Sequence, residues 1–310
     1  MSINTSPAIP SWNPDTTHLP ATEITPDALV LNPLVATVAA TPQGDAASIR
    51  VPFIAADPTA QIVAEGDEIP EGDSTRAEIR VYTRKIALIQ RISREAYGQQ
   101  LAGTNATAGA SDLLTESLRR AVTAKADAML LNAPQESETV YAPGLANDTS
   151  DAMLDGGAIT GNLDPLIDAI AAISDNGATP SCILVSNSGW AWLQRLKYTD
   201  GRPVVNPDVQ ADALPQLLGL PVVRNGAVPK DKLFVLDAAN LIVGYSDVAV
   251  DVDPSAYFSS DSIGIRITAR LGWGIPYRGR AARLTLGNTG EGTTTTTRTT
   301  RKTTTAKTGE

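Results

Sequence analysis

Apolar and polar residues alternate strictly from Glu78 onward. One face carries Ile79, Val81 and Thr83, and the other carries Arg80, Tyr82 and Arg84. This period of two predicts a strand with one buried face. From Ile86 to Ile89 every residue is apolar, which predicts that the same strand runs on into a core. An extended chain from Glu78 to Ile89 reaches roughly 40 Å, about twice an ordinary strand.

A second alternating strand, residues 48–54, precedes this one and is separated from it by an acidic turn. The turn contains Glu65, Asp67, Glu68, Glu71 and Asp73. The two strands predict a long hairpin. Because a two-stranded ribbon is only marginally stable alone in water, we expect it to contact a neighbour.

Residues 1–47 contain prolines at positions 7, 10, 14, 20, 26, 33 and 42, a spacing that excludes a long helix. The segment is therefore predicted to be an extended arm. Its apolar anchors would be Trp12, Leu19, Ile24, Leu29, Leu31 and Leu34. The alternative is a free, flexible terminus.

Helical patterns follow the hairpin. Ser93 is a predicted N-cap of a short helix, and Ser111 of a longer one over Asp112–Leu131. The apolar face predicted for the longer helix contains Leu114, Leu118, Ala121, Val122, Lys125 and Met129. Residues 133–161 are predicted to be a loop.

Residues 161–245 alternate between helical and strand patterns. Asp164 and Pro165 predict a helix start, and Asn176–Gly177 its end. Residues 181–186 predict a buried strand, and Asn187 or Ser186 caps a further helix. Short strands are expected in 215–229 and on both sides of Ala238–Asn240. Farther on, residues 262–286 predict an antiparallel strand pair whose apolar face includes Ile263, Ile265, Ile267, Ala269, Leu271 and Trp273.

Composition narrows the function. The 310 residues include 42% hydrophobic residues, enough for a sizeable core, and carry a net charge of −9. That balance disfavours nucleic-acid binding through phosphates. One cysteine, Cys182, excludes an internal disulfide, and the lack of a long apolar run predicts no membrane contact. The threonine-rich residues 288–310 are predicted to be a disordered tail.

Catalytic and metal-binding patterns are lacking in the sequence. The single histidine, His18, lies in the proline-rich arm, far in sequence from any candidate nucleophile. The acidic turn, and Asp251 with Asp253, do not have the order of a calcium loop. We therefore predict no catalytic, cofactor-binding or metal-binding residues, and a protein that is not an enzyme.

Three pieces of the chain, in order, resemble the major capsid proteins of tailed bacteriophages, the Hong Kong 97 fold. The first is the acidic turn "AEGDEIPEGD" followed by the long strand and "KIALIQRISREA". The second is "LLGLPVVRNGAVP" followed by "KLFVLDAANLIVGY", and the third is "IRITARLGWGIPYRGRAARLTL". The resemblance covers most of residues 48–287.

The resemblance implies an α+β fold with five parts. These are an N-terminal arm (1–47), an extended E-loop hairpin (48–85), a discontinuous peripheral domain with a long spine helix (86–160 and 246–287), an axial α/β domain (161–245) and the disordered tail (288–310). It also implies a structural major capsid protein that self-assembles, as hexamers and pentamers, into an icosahedral shell enclosing phage DNA without sequence-specific binding.

The implied location is the virion capsid, with assembly in the host cytoplasm. Because the arm begins at Met1, we expect a separate scaffolding protein, besides a portal and an accessory or decoration protein. Some relatives cross-link subunits through an E-loop lysine, but residues 1–84 contain no lysine, and Lys85 lies near the base of the hairpin. Covalent linkage is therefore not expected.

Two alternatives remain at this point. An encapsulin-type nanocompartment shell shares the fold, but its members usually begin with a helix rather than a proline-rich arm. A ligand-binding α/β protein could use residues 163–245, but this alternative leaves the hairpin and the arm without a role.

Overall fold

The computed structural model describes residues 16–19, 28–42, 47–63, 68–69, 71–93, 110–135, 141–197, 201–205 and 215–287; the side chains of 16–19 and 110–115 are not described. The strands are β1 (Thr16–Leu19), β2 (Thr37–Ala40), β3 (Ser48–Ala56), β4 (Thr75–Tyr82), β5 (Arg84–Ser93), β6 (Leu154–Ile159), β7 (Cys182–Val185), β8 (Gln216–Leu217), β9 (Leu220–Arg224), β10 (Lys232–Leu236), β11 (Ile242–Tyr245), β12 (Val248–Tyr257), β13 (Ser262–Gly274) and β14 (Ala282–Leu286). The helices are α1 (Ala110–Asn132), α2 (Asp164–Asp175) and α3 (Asn187–Arg195).

The first sheet is organised around β13. Its strand order is β1-β12-β13-β11-β2, and β5 pairs with β13 over ten residues, from Ser262↔Ser93 to Leu271↔Arg84. The predicted apolar face of β13 is buried from Ile263 to Trp273, whereas Arg266 on the other face is exposed. The alternation therefore sets which side of this sheet meets the core.

Helix α1 covers the apolar face of the first sheet. Its buried side chains follow every fourth residue: Leu118, Val122, Ala126 and Leu130. Ala121 and Lys125, which we expected on this face, are exposed. The helix begins at Ala110, so Ser111 lies within it and is not its cap. The short helix predicted after Ser93 lies outside the described residues.

The second sheet has the order β6-β14-β10-β7-β9-β8 and its own core, against which α2 and α3 pack. All four residues of β7 are buried, as predicted. Burial raises the pKa of the Cys182 thiol to about 12, so this cysteine is an inert core residue. Ser186 caps α3 by accepting a hydrogen bond from Gly189 N at 3.0 Å.

The structure corrects several predictions about strands and the sheets to which they belong. β13 and β14 do not pair with each other, since β14 pairs with β10 and β6 in the second sheet. Residues 133–161, predicted to be a loop, contain β6, whose Gly156–Gly157 pair hid the strand pattern. The sheets also divide the chain differently from the predicted segments: β6 and β14 lie in the second sheet and β11 in the first. The domain boundaries themselves stay a prediction.

The described part of the arm belongs to the subunit's own first sheet. β1 pairs with β12, and β2 pairs in parallel with β11. Leu29 is buried as expected, but Leu34 is 37% exposed, and Val30 and Val35 fill the core beside it. Leu31 is half-buried, and the remaining expected anchors, Trp12, Ile24 and the side chain of Leu19, lie outside the described residues.

A buried carboxylate on α1 joins the arm to the turn after β9. Asp127 of α1 is 4% exposed; its Oδ1 accepts from Leu29 N at 2.8 Å, and its Oδ2 from Asn225 Nδ2 at 2.7 Å. Burial raises the pKa of the Asp127 carboxyl above its ordinary value of 3.8, and the two hydrogen bonds offset only part of that effect.

Replacing Asp127 by asparagine should destabilise the fold by about 1–3 kcal/mol near pH 7, because an amide NH₂ would then face the amide of Asn225. The folded carboxyl keeps its proton at pH values where the unfolded one has lost it. The wild-type contribution therefore falls as pH rises from 3.8 through the raised pKa. The stability gap between wild type and Asp127→Asn should thus widen as pH falls from about 7 toward about 4.

Urea unfolding of the purified chain at several pH values measures both effects. Asp175→Asn, at an exposed position near the end of α2, is the matched control and should change stability by no more than about 0.5 kcal/mol. A pH-independent gap for Asp127→Asn would contradict the assignment.

Candidate functional site

The residues that could carry catalysis or bind a metal do not form a common site. His18 lies in β1, and Cys182 is buried in β7. Among the described residues, no group of three or more His, Cys, Asp or Glu side chains could hold a metal ion. Within the same ranges, no helix is long and apolar enough to cross a membrane. The notable features of the molecule are its projecting ribbon and the exposed apolar side chains.

The predicted hairpin is present as a separate two-stranded sheet. β3 pairs with β4 from Ser48↔Tyr82 to Ala56↔Thr75. Opposite residues share a face, so Val51 and Ile79 lie on one face, half-buried, and Pro52 and Glu78 lie exposed on the other. β4 is followed by β5 with only Thr83 between them, so one nearly continuous extended chain leaves the ribbon and enters the first sheet.

The base of the hairpin packs on its own subunit, so part of the support expected for the two-stranded ribbon comes from the same chain. Glycines make room for it on β13. A Cβ on Gly274 would lie 2.9 Å from Ile79 Cδ1, and one on Gly272 would collide with the Tyr82 carbonyl. A side chain at either glycine would therefore push the ribbon off the sheet.

Tyr277 holds the ribbon where β3 ends. Its hydroxyl donates to Ile54 O at 2.9 Å, and its ring meets Phe53 edge to face, with centroids 5.3 Å apart. The Arg280 guanidinium lies over the same ring at 4.1 Å. Tyr277 is itself fixed by the buried Asn240, which accepts from Tyr277 N at 3.0 Å and donates to Tyr277 O at 2.9 Å. We call this set, Tyr277 with Asn240, Phe53 and Ile54, the ribbon clamp.

The tip of the hairpin is residues 57–73, of which the structure describes 57–63, 68–69 and 71–73. Ile62 is fully exposed and Ile69 is 79% exposed. In sequence the tip contains six carboxylates and no lysine or arginine: Asp57, Glu65, Asp67, Glu68, Glu71 and Asp73. Isolated exposed apolar residues are common, but two isoleucines at the end of a projecting ribbon indicate a contact surface.

The apolar run after the hairpin is not buried as predicted. Ile86 is buried, but Ala87 is exposed, Leu88 is 36% exposed and Ile89 is 59% exposed. Phe258, in the turn between β12 and β13, is 85% exposed. A run that is apolar on both faces of a strand thus meets the subunit's core on one face only. The prediction that the whole run enters a core is therefore wrong for Ala87 and Ile89.

Tyr277→Phe should loosen the ribbon without unfolding it, because the substitution removes one hydroxyl and keeps the ring contact with Phe53. The loss of a hydrogen bond of about 0.5–1.5 kcal/mol should speed amide exchange in residues 48–56 by about two- to tenfold. Hydrogen–deuterium exchange measures this. Tyr257→Phe, at the far end of β12, is the control, and equal exchange in the two variants would show that the clamp does not restrain the ribbon.

Comparison with known proteins identifies the family and the fold. The sequence matches the phage capsid family over residues 17–285. A solved structure from Microbacterium phage Oxtober96 is 14% identical, with a TM-score of 0.61, over 92% of this chain and 96% of that one. One from Mycobacterium phage Bobi is 16% identical, with a TM-score of 0.61, over 92% and 95%. The capsid of a native GTA particle is 14% identical, with a TM-score of 0.59, over 81% and 88%. No curated protein matches the sequence.

At these identities the structures establish the fold, which is the α+β Hong Kong 97 fold expected from the sequence. The family match spans most of the chain and does not favour the nanocompartment or the ligand-binding alternative. This chain belongs to the phage capsid family, and it is a structural major capsid protein of a virion shell.

Proposed function

We propose that copies of this chain close, as hexamers and pentamers, into an icosahedral shell around phage DNA, with the hairpin of each subunit lying on the next. The exposed tip carries this proposal. Ile62 and Ile69 are exposed on a ribbon whose base is already clamped, and the described residues of the subunit leave them uncovered, so a neighbouring copy can cover them. A repeated contact between identical subunits closes into a symmetric shell when the rotation it imposes is closed.

The shell encloses DNA without binding it tightly. The chain carries a net charge of −9, which opposes binding to the phosphates of DNA. A container with this charge lets packaged DNA lie against its wall without sequence-specific contacts. This role uses no catalytic residue and no cofactor.

Further proteins complete the proposed assembly. Contacts between identical subunits determine which surfaces meet, but they do not determine the radius of the shell. We therefore assign control of the shell size to a separate scaffolding protein. A closed shell has no entrance for DNA, so we assign a portal to one vertex. An accessory or decoration protein would cover exposed apolar points such as Phe258. Assembly in the host cytoplasm is consistent with the single buried cysteine.

Replacing residues 57–74 by Asn-Gly should abolish stable shells while preserving the subunit fold. Ala56 and Thr75 are cross-strand partners, so this two-residue turn closes the ribbon without changing its base. Electron microscopy and size-exclusion chromatography of the expressed protein measure assembly and folding. The control, Thr59→Ala with Gln61→Ala, keeps the length of the tip and changes only exposed polar positions. Normal particles from the Asn-Gly variant would overturn the proposed role of the hairpin.

Particles boiled in denaturant should run as a single band at the subunit mass of 32.4 kDa. Lys85 is the first lysine of the chain, and it lies opposite Arg270 within the first sheet, at the base of the hairpin rather than on its projecting part. The contact between subunits is therefore non-covalent. A ladder of linked oligomers, traced to lysine by mass spectrometry, would contradict this prediction.

A further inference from the structure

The outer face of β5 and β13 combines basic and apolar side chains. On β5, Lys85, Ala87, Ile89 and Arg91 alternate with the more buried residues and are all exposed. Their partners on β13 are Arg270, Thr268, Arg266 and Gly264. Because opposite residues of a ladder share a face, these eight positions lie on one face of the sheet, which we call the basic strip. Of the β13 residues, Arg266 is exposed, Thr268 and Arg270 are half-buried, and Gly264 is buried.

The charge of the basic strip is partly balanced within the subunit. Arg266 forms an ion pair with Asp251 at 2.6 Å, and the neighbouring Asp253 is exposed. Arg91 lies 5.4 Å from the centre of the Tyr257 ring, and neither Arg91 nor Lys85 pairs with a carboxylate of the described residues. Lys85 and Arg91 therefore supply most of the positive charge available to another molecule.

The hairpin tip has the complementary composition. Glu68, Glu71 and Asp73 are exposed, and the tip contains no basic residue. Its exposed Ile62 and Ile69 match the 59% exposed Ile89 at the centre of the basic strip. One surface has acidic groups around isoleucine, and the other has basic groups around isoleucine. Together they supply the polar rim and the apolar centre of a protein interface.

The two surfaces of one subunit lie far apart along an extended chain. Between Asp73 and Ile89 the strand begins at Thr75 and is interrupted only at Thr83, so the separation along the chain is about 50 Å. The ribbon clamp at Tyr277 and Ile54 holds the end of β3 against the subunit. A second copy of the chain is the molecule that brings an acidic tip to a basic strip.

We propose that the acidic hairpin tip of one subunit binds the basic strip on β5 and β13 of a second copy, and this inference rests on the proposed function. Contact between Ile62 or Ile69 and Ile89 contributes the affinity, because it removes apolar surface from water. Lys85 and Arg91, facing Glu68 and Glu71, set the register of the tip and the rate of association.

Charge reversal tests this pairing. Glu68→Lys with Glu71→Lys on the tip, and Lys85→Glu with Arg91→Glu on the strip, should each lower the particle yield by at least about tenfold, since like charges then meet at the contact. The chain with all four substitutions restores opposite charges and should recover at least about half of the wild-type yield. Circular dichroism and chromatography establish that each variant is folded.

The matched control is Lys230→Glu with Arg278→Glu, which changes net charge by the same amount at exposed positions away from the strip. It should assemble normally. Should a strip variant fail to fold, Lys85→Gln with Arg91→Gln replaces it and should also lower the yield.

Recovery in the fourfold variant supports the pairing. A charge-reversed tip that assembles normally, or a fourfold variant that stays as defective as either parent, overturns it. The proposed function then still stands if the Asn-Gly variant fails to assemble, because another surface receives the hairpin. Absence of particles from the wild-type chain would instead contradict the proposed function itself.

Discussion

The ten-residue ladder between β5 and β13 is the interaction on which the rest of the molecule depends. It places Ile86 and the isoleucines of β13 on the inner face, against α1, and leaves Lys85 and Arg266 on the outer face. A slip of one residue would exchange the two faces of β5, exposing Ile86 and burying Lys85. Because only Thr83 separates β5 from β4, the same register decides where the ribbon leaves the sheet. Thr83 is buried, and its N–H donates to Ala47 O at 2.9 Å, which fixes that point.

Much of the fold was predictable because it is encoded locally. The alternation in β4 and β13, the apolar run of β7 and the amphipathic α1 each depend on residues close together in sequence. Strand partners depend on long-range contacts, and here the pattern was misleading. The stretch after Trp273 alternates like a hairpin partner of β13, but it crosses to the second sheet before β14 begins. Alternation identifies a strand and a buried face, but not the sheet that the strand joins.

The functional surfaces were predictable only in part. The acidic tip is contiguous in sequence, so its charge could be read directly. The basic strip could not, because Lys85 and Arg270 become neighbours only through the β5–β13 register. The run from Ile86 to Ile89 was expected to enter a core, yet Ile89 is exposed in the single subunit. In an assembling protein, apolar sequence reflects burial in the assembly as well as in the subunit, and sequence alone does not separate the two.

The ribbon clamp lies where the two sheets are joined. Three connections lead from one sheet to the other: the long one from β5 through α1 to β6, the turn around Asn240 from β10 to β11, and residues 275–281 from β13 to β14. The last two meet at the ribbon clamp. Asn240 and Tyr277 bind each other at this crossing through two hydrogen bonds, and Tyr277 then holds Ile54 and Phe53. On the far side of the first core, Asp127 fixes the arm and the turn after β9 to α1. These hydrogen bonds link the two sheets at two separate places. The direction of the hairpin is therefore set by the junction of the sheets and not by the ribbon, whose two strands alone could not hold it.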